Sequence, residues 1–116
     1  MNALNSGVTT GRKKKMTDNK IIHNLIEEEL AEANKIHPLF QSPHEAYAVM
    51  LEECEETEAE MAACNELLGD IWKGCRFDYG TEEEVKLLLG HAVYLIQEGI
   101  QLAAMAQKTL DSLYKE

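Results

Sequence analysis

Residues 42–61, SPHEAYAVMLEECEETEAEM, open with a complete helix-start signal and then carry seven glutamates along one helical run. Ser42 is an N-cap residue, Pro43 suits the first helical position, and Glu45 completes the S-x-x-E capping box. Pro38, just upstream, disfavours helix at His37, so a preceding element must end there. The spacing predicts a long helix from residue 43 to about Leu68, where Gly69 offers a left-handed stop. At about 100° per residue, Ala46, Met50, Cys54, Thr57, Met61, Cys64 and Leu68 form its core stripe. Glu45, Glu52, Glu53, Glu56 and Glu60 gather on a flank beside that stripe, while Glu55 and Glu58 point elsewhere. The acids are therefore sorted by face.

Working outward, Ile21, Ile22, Leu25, Ile26, Leu30 and Ala33 recur at helical spacing opposite Glu27, Glu28 and Glu32, predicting a first amphipathic helix over residues 18–35. Residues 70–80, DIWKGCRFDYG, contain two glycines and read as a short helical turn followed by a loop. Thr81 followed by Glu82, Glu83 and Glu84 is a second capping box, and the apolar pattern runs from there almost to the C-terminus. The expected fold class is all-α: a bundle of two long helices and one or two shorter ones, over residues 18–116. Residues 1–17, rich in turn-forming and basic types, read as a disordered tail, and Met16 offers an alternative start.

Composition narrows the function classes. A chain of 116 residues with 45% hydrophobic content holds one modest core. Its formal net charge of −10 opposes binding to nucleic acid or an anionic membrane and favours cations. No uninterrupted apolar run approaches the ~20 residues of a bilayer span, and residues 1–20 lack the apolar segment of a secretory signal, so the chain reads as cytosolic. Cys54, Cys64 and Cys75 form no C-x-x-C pair and read as free thiols.

The last helix sharpens the metal question. Leu87, His91, Leu95, Glu98, Leu102 and Met105 share a face, so Glu98 sits among apolar side chains. Leu89, Val93, Ile96, Ile100 and Ala103 cover much of the other side. A carboxylate in such surroundings needs a partner, because an unpaired buried charge costs several kcal/mol, on the order of 3–5. On the preceding helix, the like-charged pairs Glu53 with Glu56 and Glu52 with Glu56 each oppose helix formation by roughly 0.2–0.5 kcal/mol. A divalent cation between facing helices answers both needs.

The motif EECEE at 52–56 reads as E-E-x-x-E, and EGIQLAAMAQKTL at 98–110 resembles the second signature helix of the MazG-like, all-α nucleotide pyrophosphohydrolases. The segment HEAYAVMLEECEE and the DIW before the loop are similar to the small phage and prophage members of that group. The likeness spans roughly residues 20–113. It implies that Glu52, Glu53, Glu56 and Glu98 bind Mg²⁺, with Mn²⁺ as a substitute. The metal would hold a nucleoside triphosphate while water attacks between the α- and β-phosphates, and Glu53 would orient that water. Gln101 stands where the family pattern E-x-x-D has its aspartate. An amide oxygen can coordinate Mg²⁺ but adds no negative charge, so the departure weakens the ligand set. A non-catalytic helical interaction or nucleotide-binding module is the alternative.

The remaining candidates are substrate contacts. Lys73 and Arg76 are placed to reach a phosphate, Trp72 to stack on a base, and His91 to bond with Glu98 or a ligand water. Each has a plainer reading as a surface or core residue. A last helix that is apolar on two faces also predicts a homo-oligomer, since one short chain covers only one of them.

Overall fold

A computed structural model describes residues 16–114. These form three helices in the order α1 (Met16–Ile36), α2 (Pro43–Phe77) and α3 (Glu82–Leu113), with no strand among the described residues. The all-α expectation holds, as does the proportion of two long helices and one shorter one. Met16 already belongs to α1, and the basic tail of residues 1–15 lies outside the described residues.

The start of α2 follows the sequence signal. The Ser42 side chain accepts from Glu45 N–H at 3.2 Å, and Glu45 Oε1 accepts from Gln41 N–H at 2.7 Å, one residue earlier than a standard capping box. The end of α2 does not follow it. The helix passes through Gly69 and continues to Phe77, where Asp78 adopts a left-handed conformation at φ 58° and ψ 42°. Tyr79 N–H then donates to the Gly74 carbonyl at 3.1 Å. An exposed mid-helix glycine costs only about 1 kcal/mol, and beyond it Ile71 is half-buried and Gly74 is buried under the turn that leads into α3.

Gly74 is buried because the chain turns back directly over it. A Cβ at this position would collide with Thr81 Cγ2 and approach Tyr79 O to 3.1 Å. Thr81 is the N-cap residue of α3, but its hydroxyl makes no capping bond, contrary to the second capping box expected. Its φ of −125° and ψ of 10° do not aim the side chain at the Glu84 N–H, and its methyl packs on Gly74 instead.

Helices α2 and α3 form an antiparallel hairpin with a regular seam. On α2 the buried and half-buried positions include Ala46, Met50, Glu53, Thr57, Glu60, Cys64, Leu67, Ile71 and Gly74, at alternating spacings of four and three residues. On α3 the matching series is Thr81, Glu84, Leu88, His91, Leu95, Glu98, Leu102, Met105, Thr109 and Ser112. Such a 3.5-residue repeat is the packing rule of coiled coils. Cys54, Met61 and Leu68, expected in the core stripe, are exposed, because a 3.5 repeat drifts away from the 3.6-residue wheel over several turns.

Helix α1 lies on another side of α3 and makes no close backbone approach to α2 among the described residues. The core gathers at one end, where Phe40, Ala46, Ala104 and Met105 are buried against Ile26, Leu30, Val49 and Leu113. Phe40 N–H donates to Ser112 Oγ at 2.9 Å, tying the α1–α2 connection to α3. Elsewhere the molecule is thin. Its extents are 58 × 29 × 21 Å and its radius of gyration is 18.2 Å, against about 13 Å for a compact chain of ~100 residues. Leu89 and Ile96 of α3 are 66% and 62% exposed, so much of the second apolar face has no cover within one chain.

That apolarity also makes α3 long and apolar enough, by length and composition, to cross a membrane, with a mean hydropathy of 1.2 over its best stretch. The expectation from uninterrupted apolar runs overlooked this, because His91, Gln97, Glu98 and Gln101 break the run without adding much charge. Central helices of small bundles meet the same criterion, and α3 is the helix against which both others pack.

Candidate metal centre

One turn of α2 and one turn of α3 bring Glu53, Glu56 and Glu98 together, with one potential ligand atom from each lying within 4.8 Å of the others. The register explains the meeting. Glu53 and Glu98 both occupy seam positions that would otherwise take apolar residues, and Glu56 sits one turn along α2 from Glu53. Glu53 and Glu98 are half-buried while Glu56 is exposed, so the cluster opens to solvent on one side. The neighbouring Thr57 hydroxyl turns inward to donate to the Glu53 backbone carbonyl at 2.8 Å.

Crowded carboxylates resist ionisation. The Glu53 carboxyl is raised to about 7, first by its removal from water and then by the charges of Glu56, Glu98, Glu52 and Glu29. Burial also raises Glu98, followed by its hydrogen bond with Glu56 and the charges of Glu56 and Glu60. Glu52 lies on the exposed side of the same turn and contributes charge to the cluster without joining the close trio.

Gln101 completes the arrangement in an unexpected way. With its amide oriented to suit its neighbours, the nitrogen donates to Glu98 Oε1 at 3.2 Å and to Glu53 Oε1 at 3.1 Å. A neutral donor thus bridges two facing carboxylates. The same side chain lines a cavity of about 460 Å³, whose wall includes Glu28, Glu29 and Glu32 of α1. Glu29 took no part in the sequence-based site. Its signal was available only as spacing, since Glu29 falls with Ile26, Leu30 and Ala33 on the half-buried face of α1.

The donor set fits a hard divalent cation. Several carboxylate oxygens from facing helices suit Mg²⁺, Mn²⁺ or Ca²⁺, and no cysteine or histidine belongs to the close trio.

The other candidates stand apart from the cluster. His91 Nδ1 lies 2.7 Å from Glu60 Oε1, two turns along the seam from Glu98, so its polar contact is with Glu60. Trp72 is 62% exposed, and it lies about 24 Å along the helix from Glu56. Lys73 is exposed beside it, and the Arg76 guanidinium stacks over the Phe77 ring at 5.2 Å. Within one chain these three residues form a separate aromatic and basic tip. Comparison with known proteins returned no match to a family model, a curated protein or a solved structure.

Proposed function

We propose that this chain is a Mg²⁺-dependent, MazG-like nucleoside triphosphate pyrophosphohydrolase of the small phage or prophage type. One observation carries the reading: Glu53, Glu56 and Glu98, drawn from two facing helices, converge within 4.8 Å at the two motifs that carry the resemblance. Glu53, Glu56 and Glu98 would hold the ion, with Glu52 adding charge from the solvent side. Bound there, Mg²⁺ supplies charge neutralisation for the phosphates and for the acidic wall. Glu53 would be ionised once the ion is bound and would orient the attacking water beside it. Glu28, Glu29 and Glu32 repel phosphate, so nucleotide entry depends on cations.

The test is Mg²⁺-dependent release of pyrophosphate from a panel of nucleoside triphosphates, with Glu53→Gln and Glu56→Gln as controls. Turnover lost in both variants supports the reading, and no turnover with any triphosphate sinks it. A second reading, a nucleotide-binding or assembly module without turnover, draws support from Gln101. Its amide already satisfies Glu53 and Glu98 and supplies no charge where the family has aspartate. Nucleotide binding without pyrophosphate release separates the two.

The working unit we propose is a homo-oligomer. Ile96, Leu89, Val93 and Tyr94 on α3, with Ile21 and Ile22 on α1, are all about half exposed or more. Patches of this kind mark association surfaces. A monodisperse monomer by light scattering at micromolar concentration would refute this.

A further inference from the structure

The C-terminal half of α1, the start of α2 and the end of α3 line a second, half-open pocket of about 260 Å³. Ala33, Ile36, Phe40, Val49 and Met105 give it apolar walls, and no member of the acidic cluster reaches it. Three polar side chains do: His37, Glu45 and Lys108. Lys108 is only 4% exposed, and no carboxylate lies within ion-pair distance of it among the described residues. Its Nζ stands 4.8 Å from the centre of the Phe40 ring.

A lysine on a helix surface ordinarily extends its ammonium into water. Here the stem is packed away, and the ammonium sits beside the Phe40 ring at the pocket instead of extending from the helix surface. The ammonium carries three N–H donors, and a ring face is a poor substitute for oxygen acceptors. Glu45 does not serve as counter-ion: it is exposed, and its Oε1 is held by the Gln41 N–H at 2.7 Å in the α2 cap.

We propose that this cavity binds a small amphipathic anion, with a single carboxylate or phosphate head on Lys108 and a compact apolar body against Phe40, Val49 and Met105. At roughly 30 Å³ per non-hydrogen atom the cavity holds a body of about nine such atoms. Benzoate matches that size. The site is independent of the acidic cluster and requires neither metal nor nucleotide.

The experiment titrates metal-free protein with benzoate, phenyl phosphate and neutral benzyl alcohol, following backbone amide resonances and heat of binding. Benzoate or phenyl phosphate should shift Ala33 and Met105, with at least tenfold weaker binding for benzyl alcohol. Preference between the two anions assigns the head group. Lys108→Met, which keeps the stem and removes the charge, should weaken anion binding at least tenfold. Benzyl alcohol needs no variant, so it decides the point even where Lys108→Met fails to fold. The proposal is overturned by equal binding of the alcohol and the anions, or by no cavity shifts at millimolar concentrations of either anion.

Discussion

His91 Nδ1 and Glu60 Oε1 meet at 2.7 Å across the α2–α3 seam, where both residues occupy positions that the 3.5-residue repeat reserves for core side chains. Both side chains are partly shielded from water, so the contact is worth more than a surface pair. A double-mutant cycle with Glu60→Ala and His91→Ala should return a coupling energy of about 0.5–1.5 kcal/mol. Additive losses would mean that the two side chains merely adjoin.

The acidic cluster makes the metal-free protein sensitive to alkali. Glu53 is raised from 4.5 to about 7 in the folded chain, and Glu98 is raised in the same direction. The fold therefore favours their protonated forms. That contribution is complete below about pH 4.5 and disappears as pH rises through about 7, amounting to on the order of 1–3 kcal/mol after allowance for solvent screening. Denaturant midpoints measured with chelator should fall between about pH 5 and pH 8. Glu53→Gln should flatten the decline, and a midpoint that rises over that interval contradicts the assignment.

The seam also explains which features were legible in the sequence. The start of α2 was plain, because Ser42, Pro43 and Glu45 act locally and need no partner. The end of α2 was not, because Gly69 is a stop signal only when nothing beyond it packs, and Gly74 lies buried under Tyr79 and Thr81 of the following turn. Glu53, Glu56 and Glu98 emerged from motif spacing, and Glu98 also from its apolar surroundings. Glu60 was placed on a flank, since a 3.6-residue wheel misassigns residues several turns from its origin in a helix that keeps a 3.5 repeat. Glu29 depends on how α1 docks and the bridging role of Gln101 on the register between α2 and α3, neither of which a local pattern encodes.

Two glycines in α2 should respond oppositely to alanine. Nothing lies within 4 Å of a Cβ built on Gly69, whereas one on Gly74 collides with Thr81. Gly69→Ala should stabilise the protein by about 0.5–1 kcal/mol through helix propensity. Gly74→Ala should cost about 1–3 kcal/mol, because the hairpin turn must shift. Adding Thr81→Ser, which removes the offending methyl, should recover part of that loss. Equal effects at the two glycines by thermal denaturation would show that the turn does not press on Gly74.

Gln101 offers the most direct test of the metal centre. Its amide nitrogen now bridges Glu53 and Glu98, so Gln101→Asp replaces a donor by a fourth carboxylate among three that already repel one another. Without metal the variant should unfold more readily than wild type. With Mg²⁺ or Mn²⁺ the order should reverse, because the added charge tightens binding and bound metal stabilises the fold by RT ln(1 + [L]/Kd). Ligating carboxylates must be ionised, so titration below about pH 7 should also release protons, seen as a buffer-dependent heat. Glu56→Gln should abolish the metal response while leaving metal-free stability equal or higher, since one repelling charge is gone and the shape is kept. Midpoints that stay fixed across millimolar Mg²⁺ and Mn²⁺, in wild type and Gln101→Asp alike, would reduce the cluster to an acidic seam that Gln101 alone holds together.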